Sequence, residues 1–105
     1  MNTEPTLPIQ ISQSEIASLC QRNHIRKLSL FGSVLRNDFS PDSDIDVLVE
    51  FEPGKTPGFA IVTIQEELSN LFGGREVDLR TPQELSRYIR DRVLTEALVQ
   101  YVQVN

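Results

Sequence analysis

The chain is short of cysteine, of basic charge and of long apolar runs, and each shortage excludes something. A single cysteine, Cys20, permits no internal disulfide and gives no reason to expect an oxidising compartment. The longest near-unbroken apolar run, 45–49, has the length of a strand and is far short of a membrane span. Ten Lys and Arg residues are scattered among fifteen Asp and Glu, for a net charge of −5. Proteins that grip extended nucleic acid usually show a basic face, so long nucleic acid is not expected as a partner. The loose trio Arg87, Arg90 and Arg92 reads as a solvated helix face. There is no tryptophan, one histidine, and no Ser-His-Asp set, zinc spacing or P-loop. The opening MNTEPTLPIQ has neither the basic nor the apolar region of a secretory leader, so a cytoplasmic protein without membrane association is expected.

What remains is the composition of an ordinary globular domain, and 105 residues suffice for one core and not for two. A single domain over 1–105 is expected, with residues 1–11, which hold Pro5 and Pro8, as a loose arm. Ser12 and Glu15 resemble a capping box, and Ile16, Leu19 and Cys20 form a helical stripe running to about residue 23. Residues 27–31 read as a strand, 33–35 as a short helical turn and 37–43 as a turn-rich loop. The second strand, 44–51, points Ile45, Val47, Val49 and Phe51 one way and Asp44, Asp46, Leu48 and Glu50 the other. Thr56-Pro57 fits the start of a helix whose stripe is Ile61, Ile64, Leu68 and Leu71, ended by Gly73-Gly74. Residues 75–80 read as a third strand, and Thr81-Pro82-Gln83-Glu84 as the cap of a final helix running to about 102. The order α-β-α-β-α-β-α argues for an α/β layered fold. Periodicity leaves the relative direction of the first two strands open.

The most informative feature is Gly32-Ser33 followed, after ten residues, by Asp44-Ile45-Asp46. Four such residues at fixed spacing arise by chance in roughly one chain per thousand of this length. A Gly-Ser turn can present backbone N–H groups and a hydroxyl to a phosphate. Aspartates two apart in a strand share a face, about 6.5–7 Å apart along the backbone. Their repulsion asks for a cation. Asp78 on the third strand has the same polar-face character, and if the two strands are neighbours the three carboxylates converge. Three carboxylates and nucleotide phosphates can hold two Mg²⁺ ions about 3.5–4 Å apart, the equipment of in-line nucleotidyl transfer.

Other residues have plainer readings. The DSDID segment alone could be a solvated acidic turn, and Glu50 and Glu76 suit surface roles. Arg36 could reach a phosphate or pair with Asp38. His24 suits a helix end and Cys20 the core.

Gly32, Ser33, Asp44, Asp46 and Asp78 resemble, residue by residue, the signature of the nucleotidyltransferase superfamily that includes DNA polymerase β. The run GSVLRNDFSPDSDIDVLVEF, the later REVDLRTP and the RVLTEALVQY segment are similar to its minimal nucleotidyltransferase (MNT) group. The resemblance implies a mixed β-sheet flanked by helices. It implies that Asp44, Asp46 and Asp78 ligate Mg²⁺ and carry catalysis, and that Gly32 and Ser33 hold the phosphates of ATP. It further implies an antitoxin that silences a helical HEPN ribonuclease toxin by transferring AMP from ATP to a toxin tyrosine, in a hetero-oligomer. The alternatives are a non-catalytic steric inhibitor of that partner, and transfer to a small molecule such as an aminoglycoside. The apolar residues of the final segment, among them Tyr88, Ile89, Leu94 and Val102, could cover the domain's own core or meet a partner.

Overall fold

The computed structural model describes residues 9, 11–36, 40 and 42–104. Most of the expected N-terminal arm, and Asp38 as a partner for Arg36, lie outside the described residues. Ser12 opens the first helix, α1 (Gln13–Arg22), its Oγ accepting from the Glu15 N–H at 3.4 Å. The expected stripe of Ile16, Leu19 and Cys20 is its buried face. Asn23 closes the helix by donating Nδ2 to the Leu19 carbonyl at 2.8 Å. His24, with φ 58°, then turns the chain into β1 (Ile25–Phe31). A single 3₁₀ turn, Gly32–Leu35, leads toward β2 (Ile45–Phe51), followed by α2 (Ala60–Leu71) and β3 (Val77–Arg80). A second 3₁₀ turn, Pro82–Glu84, precedes α3 (Arg87–Glu96) and β4 (Leu98–Val102).

The four strands form one mixed sheet in the order β3-β2-β1-β4. The link between β1 and β2 is too short for a helical crossover and the two strands run antiparallel, whereas α2 carries the chain back so that β3 lies parallel to β2. The α1 and α2 stripes pack on one face of this sheet. There Ile16, Leu19, Cys20, Ile64 and Leu68 meet Leu28, Leu30, Ile45, Val47 and Val49, all buried. Each such aliphatic side chain contributes about 1.5–3 kcal/mol of burial free energy. Cys20 belongs to this core, where burial pushes its thiol up to about 12. No helix among the described residues is long and apolar enough to cross a membrane.

The final segment corrects the expected order. The helix anticipated to about residue 102 ends at Glu96, and Ala97 is extended, with ψ 139°. Residues Leu98–Val102 form a strand paired antiparallel with β1. Their apolar spacing is compatible with either period over so short a run, and the open edge of β1 decides the outcome. The Thr81–Glu84 cap does form, Thr81 N–H donating to Glu84 Oε1 at 2.9 Å, but it caps the 3₁₀ turn. Ser86 caps α3 instead, accepting from the Tyr88 N–H at 3.2 Å. Likewise α2 starts at Ala60 and not at Pro57, because the chain makes a turn at Gly58-Phe59 before the helical ladder begins.

Candidate active site

The register of the sheet assembles one row of side chains across three strands. Asp46 on β2 is opposite Phe31 on β1 and opposite Asp78 on β3. Partners in register project to the same face, so Phe31, Asp46 and Asp78 share the face turned away from α1 and α2. The neighbouring row carries Ser29, Leu48 and Arg80, with Ser29 and Leu48 buried. Asp44 is exposed and lies immediately before β2, two residues from Asp46. Of the three carboxylates expected to converge, Asp46 and Asp78 stand in register on neighbouring strands, and Asp44 lies in the loop immediately before β2.

Asp46 is the electrostatic centre. Its pKa is raised by partial burial first, then by the negative charges of Asp78 and Asp44. A hydrogen bond from the Ser33 backbone N–H and the charge of Arg80 act in the opposite direction. The Gly-Ser turn therefore fixes a carboxylate as well as offering donors to a ligand, a role the sequence did not reveal. Gly32 is required there twice over. Its φ of +75° is left-handed, and a Cβ at this position would collide with Asp46 Oδ2.

Two arginines that sequence reading passed over organise the site. Arg80 donates Nε to Asp78 Oδ1 at 3.2 Å and Nη2 to Asp78 Oδ2 at 3.4 Å. Its period-two spacing from Asp78 was the available signal. Arg75 donates Nη2 to the carbonyls of Ser40, at 2.5 Å, and Ser43, at 3.3 Å. Ser69 Oγ in turn donates to the Arg75 carbonyl at 2.6 Å. Arg75 so clasps the turn that delivers Asp44, a contact 32 residues apart in sequence that no local pattern reports.

The remaining polar residues lie elsewhere. Glu50 pairs with Arg26 at 3.3 Å, and Glu76 is exposed. His24 stands at the opposite end of β1 from Phe31, 3.7 Å from Glu52. Among the described residues no three acidic, histidine or cysteine side chains are gathered tightly enough to hold a metal as they stand, and both Asp78 oxygens are engaged by Arg80. The donor set nonetheless fits Mg²⁺: hard carboxylate oxygens on opposed positions, whose mutual repulsion a cation would relieve.

The family model for the nucleotidyltransferase domain matches residues 14–99. A Methanocaldococcus jannaschii protein, provisionally named a protein adenylyltransferase, is 36% identical over 84 residues, 80% of this chain and 88% of its own. Protein adenylyltransferase MntA of Thermococcus cleftensis is 36% identical over 81 residues, 76% of this chain and 79% of its own. The fold is similar to that in a solved complex of a tri-AMPylated Shewanella oneidensis HEPN toxin with an MNT antitoxin. That likeness has a TM-score of 0.61 at 22% identity and covers 87% of this chain and 70% of that one.

Proposed function

From the premise that this chain belongs to the nucleotidyltransferase domain family, we propose that it is an antitoxin that transfers AMP from ATP to a tyrosine of a helical HEPN toxin. The observation that carries the reading is the register pair Asp46–Asp78, with Asp46 standing against Gly32. Gly32 and Ser33 receive the triphosphate, and Asp44, Asp46 and Asp78 would hold Mg²⁺, two ions being expected. Bound there, the metal would supply neutralisation of phosphate charge and acidification of the attacking hydroxyl. Asp78 orients the tyrosine oxygen in line with the α-phosphorus. The new O–P bond forms as the bond to the pyrophosphate oxygen breaks, and the hydroxyl proton passes to the Asp78 carboxylate. Such chemistry belongs where ATP is plentiful, in the cytoplasm.

The partner surface is α3 with β4. No residue of α3 is buried, and Tyr88 is 83% exposed. Leu94, and Val99 and Val102 on the site face of β4, are exposed too. An apolar surface that begins beside the Gly32 turn would bring the acceptor side chain toward the carboxylates. A purely steric inhibitor could use the same surface, and one experiment separates the two. Co-expressed with a growth-arresting HEPN partner, the wild type should restore growth, whereas Asp46→Asn should bind the partner and fail to restore it. Restoration by Asp46→Asn would establish the steric reading.

A further inference from the structure

Arg90 does not share the solvated face that its sequence neighbours suggest. Its side chain is half-buried against the 3₁₀ turn that follows β3. There Nε donates to the Pro82 carbonyl at 2.8 Å and Nη2 to the Leu85 carbonyl at 2.9 Å, with the Gln83 carbonyl 3.5 Å from the same nitrogen. One rigid fork of donors thus closes on the carbonyls of a single turn, in bonds strengthened by the cationic charge. We infer that Arg90 is a positioning residue for transfer: it sets where α3, and an acceptor docked on it, stands relative to Asp78. The inference rests on the transfer reading above.

A surface helix ordinarily owes its place to a buried apolar face, and α3 buries no residue. A cavity of about 260 Å³ lies between it and the Gly32 turn, with Phe31 and Gly32 on one side and Ile89, Val93 and Glu96 on the other. The side-chain bonds of Arg87 to Tyr88, Arg92 to Glu96 and Thr95 to the Asp91 carbonyl stay within the helix. At each end one residue is extended, Ser86 and Ala97 both having ψ 139°, so the helix is joined to the domain through two short joints. The turn that Arg90 grips is, by contrast, fixed. Leu85 is buried, and Thr81 and Glu84 close the turn on each other. That turn begins at the residue after Arg80, whose guanidinium holds both Asp78 oxygens. Asp78 above all, and Glu84 in addition, push the Arg80 pKa up, so the turn and the strand that bears the carboxylate are electrostatically tied. A continuous line of contacts therefore runs from α3 through Arg90, the turn and Arg80 to Asp78.

The test takes three readouts on the full chain with its HEPN partner: kcat and KM for ATP in AMP transfer to the partner, the Kd of the partner, and binding of Mg²⁺-tripolyphosphate. Arg90→Ala should lower kcat about ten- to a hundredfold, as a misplaced acceptor does. The KM for ATP, tripolyphosphate binding and the partner Kd should stay near wild type, because the phosphate turn and the docking residues are untouched. Arg90→Lys, which keeps the charge without the fork, should recover part of kcat. An Arg90→Ala protein with wild-type kcat would overturn the inference and leave the transfer reading standing. Equal losses across the three readouts would overturn it as well, since they mark a loosened fold. Should Arg90→Ala not fold, Arg90→Lys decides: a lowered kcat with tripolyphosphate binding kept supports the inference, and full kcat overturns it. A wild type that transfers no AMP to the partner would overturn the transfer reading and the inference with it.

Discussion

Asp46 and Asp78 are partners in the parallel register of β2 and β3, so two carboxylates stand side by side on neighbouring strands of one sheet face. Such a pair costs stability unless something positive lies between or beside it. In this chain Arg80 supplies part of that charge and the Ser33 amide supplies a hydrogen bond.

The first consequence concerns Asp46 itself. Burial and the neighbouring carboxylates raise its pKa, so the folded protein holds this proton more tightly than the unfolded chain does. Stability contributed by the group is present below the unfolded-state pKa and is lost as pH rises through the raised value. At neutral pH without metal, Asp46→Asn should therefore raise Tm by a few degrees while abolishing transfer. Millimolar Mg²⁺ should raise the wild-type Tm more than that of the variant. Differential scanning fluorimetry with and without Mg²⁺ reads both effects, and a variant that melts below the wild type without metal would contradict the account.

A methyl group at position 32 should be poorly tolerated. Gly32→Ala would pay a left-handed backbone penalty on the order of 1 kcal/mol and would drive its Cβ into Asp46 Oδ2. Transfer should fall by about two orders of magnitude or more, because the carboxylate moves off its position. Circular dichroism should still report a folded domain. Near wild-type turnover would show that the Gly32–Asp46 contact has no part in the chemistry.

Arg80 holds both oxygens of Asp78, so metal at Asp78 must displace it. Arg80→Gln should lower the Mg²⁺ concentration needed for half-maximal metal binding in the absence of nucleotide, measured by Mn²⁺ substitution and electron paramagnetic resonance. An unchanged metal titration would remove Arg80 from the site's workings.

Arg75 acts one step further out, through the turn that precedes Asp44. Arg75→Ala should cost about 1.5–3 kcal/mol of stability through the lost bonds to the Ser40 and Ser43 carbonyls. It should also lower kcat more than it raises the KM for ATP, because the carboxylate is misplaced while the phosphate turn is kept. Arg75→Lys should recover part of kcat. Equal effects on both constants would point to a general loosening of the fold.

Much of the fold and the site was legible because strong local signals agreed with the tertiary outcome. The Ile16-Leu19-Cys20 stripe, the alternation of Ile45, Val47 and Val49, and the glycines after α2 each dictate one structure. The Gly32–Asp46 spacing was readable for the same reason: turn and strand chemistry coincide in it. The final strand was not readable, because Leu98–Val102 suits either period and only the vacant edge of β1 selects the extended form. Nor was Arg75 readable as a site residue: its bonds to the Ser40 and Ser43 carbonyls join segments more than thirty residues apart. Arg80 offered only its period-two spacing from Asp78. The apolar residues of the final segment left core cover and partner contact both open, and in the fold no residue of α3 is buried.

The measurement that tests the central claim most directly is intact-mass spectrometry of the HEPN partner after incubation with this protein, Mg²⁺ and each nucleoside triphosphate in turn. The account predicts a gain of one or more AMP units with ATP alone, absent with Asp44→Asn and Asp46→Asn. A partner that binds tightly yet gains no mass with any nucleotide would contradict it.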